Sequence, residues 1–357
     1  MDKYWIGLSS IEELSSSFIL RLYNHFGNIE QAFCANDLSA IEGLSVAKAE
    51  KFMRLRDKVD PDKAFEAVQS RGINYLTFDD DRYPQMLRNI YDAPAVLYYK
   101  GDLFDCNLDR TLAVVGSRRA TSYAKDALSK IISELIDTDI CVVSGLASGI
   151  DTIAHTSSIK NNLKTIGVIA SGFDFTYPTA NKDLYRKIEE GCGAVVSEYY
   201  PTFQPLQFRF PQRNRIVSGL SYGTLVAEAS LKSGALITAN LTLEQGRELM
   251  CIPGLITNPN TQGIYKLLKN GATLVTCADD ILSALDWEVK LEQKTLFDLD
   301  LSNDEKLIYE ALEIEDKCFD ELQAFTRLSV DNLLMYLTTM ELKGIIKQVD
   351  GDRYRKI

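Results

Sequence analysis

Histidine is nearly missing from this 357-residue chain, which holds only His25 and His155. So few imidazoles leave no cluster from which a histidine-based metal site could be built. The seven cysteines, at positions 34, 106, 141, 192, 251, 277 and 318, form no CxxC pair and have no histidine close by. They read as buried, reduced thiols, and the protein as cytoplasmic. No apolar run reaches the roughly 18 residues that a bilayer span requires. The opening MDKYWIGLSSIEELSSSFIL carries acidic residues inside its apolar part and no cleavage pattern, unlike a signal peptide. A GxGxxG turn is also absent, which disfavours a dinucleotide dehydrogenase. Cations are in deficit, 39 Lys and Arg against 50 Asp and Glu, for a net charge of −11. That balance argues against a protein that coats nucleic acid non-specifically.

What is present describes a soluble globular protein with a full core, 46% hydrophobic and 25% charged. Its charge is uneven. Between Leu291 and Glu321 lie eleven acidic residues against three lysines, whereas FRFPQRNR (208–215) has three arginines and no acid. An acidic total is therefore compatible with a local basic site.

The length predicts two or three domains. Residues 1–62 read as a small helical domain, with Phe18, Leu22, Ile29 and Phe33 at helical spacing. Within it, Ala40 to Ala49 resembles a helix-hairpin-helix turn, with Ser45 where a second glycine would stand. Packing or partner docking is favoured over DNA contact there. Residues 63–286 read as one α/β domain with a lead-in over 63–108, where GINYLTF and APAVLYYKG are strand-like. Seven apolar, β-branched runs follow: TLAVVG, DICVVSG, TIGVIASG, GAVVSEY, GTLVAEA, ELMCIPG and ATLVTC. Such runs fit strands buried on both faces of a parallel sheet covered by helices. Several end in small residues, which places a ligand site at the carboxyl edge where strand order reverses. Residues 287–301 read as an acidic linker. Residues 302–357 show three helical patterns and two short strands around Asp350-Gly351, a winged-helix outline opened by a Ser302–Glu305 capping box. Lys347, Arg353, Arg355 and Lys356 suit nucleic acid, while the third helix has few basic residues and suits protein docking equally.

Three loops carry the chemistry. TLAVVGSRRA (111–120) ends a strand at Gly116 and Ser117 and delivers Arg118 and Arg119 to its mouth. Glycine admits a phosphate to the backbone and a guanidinium can grip it. The role of Arg119 is left open. In SGLASGID (144–151), Gly145 and Gly149 permit close approach, while Ser144 and Ser148 offer hydroxyls to phosphate. Asp151 favours the helix dipole, and His155 reads as structural or as a minor contact, not as a catalytic base. SGFDFTYP (171–178) sets Gly172 and aromatic residues beside a helix bearing Lys182, Arg186 and Lys187, which suits stacking and phosphate pairing with a single strand. Each ring alone reads more simply as core. Finally, FPQRNRIVSGLS (210–221) holds Arg213, Asn214 and Arg215 within apolar residues, an arrangement that faces cations into a cleft.

In this order the motifs resemble the DNA-processing protein A family (DprA, also called Smf). The set comprises VVGSRRAT, VSGLASGIDxxAH, the GxDxxYPxxN run, FPQRNRIVSGLS, EASLKSGALITA, EQGRELMCIPG and the closing QGIYKLLKNGA. The resemblance implies an α/β, extended Rossmann-like parallel sheet domain with a small helical N-terminal domain and a winged-helix C-terminal domain. It also implies a non-enzymatic protein that binds single-stranded DNA in natural transformation, protects incoming strands and loads RecA recombinase. By this resemblance Arg118 grips a phosphate, and Phe210, Arg213, Asn214 and Arg215 line the same pocket. Lys182 stands in for a lysine the family often carries at Thr179, and Tyr265 replaces an asparagine. A homodimer through Ile264, Leu267 and Leu268 is implied, with no cofactor and no membrane. The alternative is an enzyme: YGTLVAE (222–228) resembles part of the signature of LOG-type nucleotide phosphoribohydrolases, with Glu228 as the acting carboxylate. Leu220-Ser221 replaces its paired glycines, and Glu228 is expected to be a structural acid pairing an arginine.

Overall fold

Each of the seven apolar runs contributes a strand; in the first six, β-branched residues without intervening polar ones are hidden inside a covered sheet, while ATLVTC supplies only a short edge strand. The computed structural model describes residues 1–287, 301–312, 316–343, 345–349 and 353–356. These fall into two compact units, within 1–288 and within 289–357.

The first unit opens with five helices: α1 (Asp2–Ser9), α2 (Ser16–Phe26), α3 (Ile29–Cys34), α4 (Val46–Arg56) and α5 (Pro61–Gln69). Side-chain caps set their starts. Ser15 accepts from Phe18 N, Asn28 from Glu30 N and Gln31 N, and Asp60 precedes Pro61 in the first turn of α5. Ser45, at the second turn-glycine position, is the N-cap of α4 and accepts from Lys48 N. Trp5, Ile6, Leu22, Phe52 and Val68 form a core that continues into Val96, Tyr98 and Tyr200.

The sheet begins with β1 (Asn74–Thr77) and, after α6 (Gln85–Arg88), β2 (Val96–Gly101). Strands and helices then alternate through β3 (Thr111–Gly116), α7 (Ser122–Glu134), β4 (Cys141–Ser144), α8 (Ile150–Lys160), β5 (Thr165–Val168), α9 (Lys182–Lys187) and β6 (Gly193–Ser197). The second half holds α10 (Arg209–Gly219), β7 (Gly223–Glu228), α11 (Ala235–Glu244), β8 (Glu248–Cys251), α12 (Gln262–Lys269), β9 (Thr273–Leu274) and α13 (Ala278–Ala284). The strand order is β1-β2-β6-β5-β4-β3-β7-β8-β9. Neighbours from β6 through β9 are parallel, and β1 and β2 are antiparallel at one edge. Alternate residues of β3 feed opposite cores, Leu112 and Val114 on one face, Ala113 and Val115 on the other. Because β4 to β6 build outward from one side of β3 and β7 to β9 from the other, strand order reverses between β3 and β7. Connecting loops part at such a reversal and leave a crevice at the carboxyl edge.

Two expectations are corrected here. Ile264 and Leu267, assigned to a dimer interface, are buried in the core of their own chain, and Leu268 packs against it. The spacing of three puts Ile264 and Leu267 on one face of α12, and that face covers the sheet. In the flanking segments, Leu255, Ile256 and Leu274 are the large apolar residues that stay exposed. The thiols are not uniformly buried: Cys106, Cys141 and Cys251 are, but Cys34 is exposed at the end of α3 and the other three are half-buried.

The second unit comprises α14 (Asn303–Ala311), β10 (Lys317–Cys318), α15 (Phe319–Thr326), α16 (Val330–Leu342), β11 (Ile346–Val349) and β12 (Arg353–Lys356). Ser302 and Glu305 make the expected capping box. The three strands pair in the order β10-β12-β11, with Ile308, Leu322, Leu333, Leu337 and Ile346 in the core. Strand β10 escaped sequence reading because two residues carry no period. The linker residues 288–300, the Asp350-Gly351 turn and the Lys356 side chain lie outside the described residues. Among the described residues no helix is long and apolar enough to cross a membrane.

Candidate nucleic-acid interface

The loop after β3 is held from both sides. Ser117 N donates to Glu228 O at 2.8 Å, and Ile150 N donates to Ser117 O at 3.1 Å. Gly149, with φ of 82°, lies so close that a Cβ there would stand 2.2 Å from Ser117 O. A side chain is thus barred by both conformation and space. Thr121 caps α7 by accepting from Ala124 N, and the Glu228 carboxylate accepts from Thr121 N (3.2 Å) and Thr121 Oγ1 (2.7 Å). A rigid backbone therefore presents Arg118 as an exposed side chain.

Arg118 projects into a cleft of about 540 Å³ at the β3–β7 reversal, with Gly116, Gly145, Phe210, Arg213 and Asn214 also lining it. Its guanidinium carbon sits 5.5 Å from the centre of the Phe210 ring, a cation–π contact that leaves its donors for a ligand. No hydrogen bond or ion pair takes up that guanidinium among the described residues. Tyr177, 49% exposed, sets its ring edge-on to Phe210 at 5.3 Å. Ser148 borders a small annex of the cleft with Arg118, Tyr177 and Phe210.

The phase of α10 sorts its polar residues. Positions 210, 213, 214 and 217 share the cleft face, whereas Arg215 is turned by a further 100° per residue. Arg215 is buried elsewhere, 2.9 Å from Asp92 and 2.6 Å from Glu198, so it does not line the pocket expected for it. Arg213 does, but as the floor. It is 3% exposed and Nη1 donates to the carbonyls of Gly145 and Val168, at the ends of β4 and β5. Burial lowers its pKa, and the nearby Asp151 opposes that. Burial raises the Asp151 pKa in turn, with Arg213 opposing.

Other candidates sit outside the cleft. The Ser144 hydroxyl is buried and donates to Val114 O at 2.6 Å, so it has no proton left for a phosphate. Gly172 is packed beneath the 200–203 turn, its N–H on Phe203 O at 2.8 Å. Lys182 is exposed at the start of α9 and does not line the cleft, and Arg119 is exposed with its N–H on Ser117 Oγ. Tyr265 donates its hydroxyl to Gly254 O. His155 is fully buried: Thr165 Oγ1 gives its proton to Val142 O, so His155 Nδ1 is the donor in the 2.7 Å contact with Thr165. Burial, aided by Arg213, pulls the imidazole down to about 3. That neutral ring is structural, as expected.

Glu228 corrects another expectation. It is 1% exposed and its carboxylate serves Thr121, not an arginine. It caps a loop and does not line the cleft. Tyr177 is a cleft residue that the candidate set omitted; its aromatic neighbourhood was the available signal.

These features define a class, an α/β protein with an open, arginine-lined cleft at the reversal point of a mostly parallel sheet. Residues 74–286 match the family model described as DNA recombination-mediator protein A. DNA processing protein DprA of Streptococcus pneumoniae is 39% identical over 276 residues, 77% of this chain and 95% of the relative. The X-ray structure of the Streptococcus pneumoniae protein aligns with a TM-score of 0.69 and 36% identity over 79% of this chain and 98% of that one. DNA processing protein A of Helicobacter pylori, whose structure is described for its single-stranded DNA binding mode, aligns with a TM-score of 0.54 and 29% identity, covering 60% of this chain and 95% of that one. The chain belongs to the DprA/Smf family.

Proposed function

We propose that this protein binds single-stranded DNA through backbone phosphates in the β3–β7 cleft and carries out no chemical step. The observation that carries this reading is Arg118, an exposed guanidinium resting on Phe210 with a fixed backbone beneath it. The single-stranded DNA binding described for the Helicobacter pylori relative supports it. In the cell the bound strand would be incoming DNA of natural transformation, protected in the cytoplasm and passed to RecA recombinase. Anisotropy titration of the wild type with matched single-stranded and duplex oligonucleotides tests the binding step. The single strand is expected to bind at least about tenfold more tightly, because only unstacked bases can reach Phe210 and Tyr177. Equal affinity would overturn the reading. RecA filament assembly on the protein-coated strand, against RecA with the bare strand, tests the handover.

The element order of the second unit, helix, strand, two helices and two strands, supports a winged helix. Protein docking suits it better than base reading. Asp331 and Glu341 are the charged residues of α16, Arg355 is 2.6 Å from Asp316, and Arg353 is 3.8 Å from Glu321. Lys347→Glu is expected to leave oligonucleotide affinity unchanged in the same titrations.

A homodimer would use the exposed Leu255, Ile256 and Leu274, since Ile264 and Leu267 face inward. Two clefts sharing one strand would bind more tightly by effective concentration. Sedimentation equilibrium is expected to find a dimer for the wild type and a monomer for Ile256→Asp; a wild-type monomer would remove the dimer.

A further inference from the structure

The cleft that holds Arg118 is also lined by the first turn of α11, through Ser233, Gly234, Ala235 and Thr238. They belong to the EASLKSGALITA motif, to which neither Arg118 nor α10 gives a role. Thr238 is 2% exposed, yet its hydroxyl makes no hydrogen bond among the described residues. Threonines inside helices ordinarily bond the carbonyl four residues back, and Thr242, one turn on, does so to Thr238 O at 2.8 Å. An unpaired hydroxyl on a buried residue that lines a cleft is poised for an acceptor from outside the chain.

Gly234 points the same way. Its φ of −62° and ψ of −19° are open to any residue, and a Cβ there would meet no atom within 4 Å. Neither backbone strain nor internal packing calls for glycine. The open space instead admits the close approach of a ligand to the main chain. The Gly234 N–H has no acceptor among the described residues, and the first turn of α11 carries no acidic residue to offset the positive end of its dipole.

We propose that the first turn of α11 is a second phosphodiester subsite of the cleft. The Gly234 N–H and the Thr238 hydroxyl would donate to a backbone phosphate other than the one held by Arg118. The ligand is the sugar–phosphate backbone of a single strand, so the inference rests on the function proposed above. It adds a neutral anchor that fixes the path of the strand along the cleft.

The test is an anisotropy titration of a short labelled oligothymidylate at several salt concentrations. Thr238→Val, close in shape, is expected to lose roughly tenfold in affinity, the scale of one hydrogen bond to a charged group. The salt slope should not change, because a hydroxyl displaces no counter-ion. Thr238→Ser should bind as wild type, which separates the hydroxyl from packing. Gly234→Ala, free of internal clash, should lose affinity while melting as wild type does. Single methylphosphonate substitutions should reveal one position that weakens the wild type but not Thr238→Val. Wild-type affinity in Thr238→Val, or a Thr238→Ser as weak as Thr238→Val, overturns the subsite alone. A wild type that fails to bind the strand overturns the subsite and the proposed function together.

Discussion

Arg118→Ala is expected to weaken single-stranded DNA binding by about 10- to 150-fold, because hydrogen bonds to charged groups contribute roughly 1.5–3 kcal/mol. The slope of log affinity against log salt should fall by about 0.7 for each phosphate no longer neutralised on a single strand. Folding should be untouched. The bonds that hold this loop are made by the backbone of Ser117 and by Glu228, Thr121 and Ile150, not by the Arg118 side chain. Arg118→Lys keeps the charge but loses the planar fork and its stacking on Phe210, and should fall between alanine and wild type. Anisotropy at several salt concentrations, paired with a thermal melt, reads both effects. Unchanged affinity in Arg118→Ala would remove the central contact of the proposed interface.

How far the site was legible depended on whether a residue's role was set by local chemistry or by phase and burial. The strands were legible because runs such as TLAVVG and DICVVSG have one stable use, burial on both faces. Arg118 was legible because a glycine turn at a strand end leaves the next side chain at the sheet edge. Arg213, Asn214 and Arg215 looked like one unit in sequence, but successive helical residues point 100° apart. Only the cleft on one side of α10 and the carboxylates of Asp92 and Glu198 on the other show which guanidinium goes where. Ser144 failed for a related reason. A serine at a strand end reads as a phosphate donor until the Val114 carbonyl is found to claim its proton. The interface at Ile264 and Leu267 was implied by the family resemblance, and nothing in the sequence could correct it, because an apolar helical stripe is the same whether it meets a partner or its own sheet. Thr238 lies in the EASLKSGALITA motif, which pointed to the family but not to a role for its hydroxyl, since a missing hydrogen bond exists only in three dimensions.

Arg213→Met is expected to destabilise the first unit by about 3–5 kcal/mol, the range for breaking a buried charged arrangement from one side. The substitution fills much of the same volume but strips the carbonyls of Gly145 and Val168 of their shared donor, at the two strand ends that shape the cleft. It also removes the cation that opposes the burial-driven rise of the Asp151 pKa. The pH dependence follows from those signs. Without Arg213 the folded-state pKa of Asp151 rises further above its unfolded value, so the variant loses stability as pH climbs through that higher value. His155 changes in the same sense, since removing Arg213 eases protonation of a ring whose pKa burial holds near 3. The stability gap between variant and wild type should therefore be widest near neutral pH and narrow on acidification. Urea unfolding across a pH series measures it. If Arg213 were a direct DNA contact instead, Arg213→Met would keep wild-type stability and lose only affinity, with no narrowing of any gap at low pH.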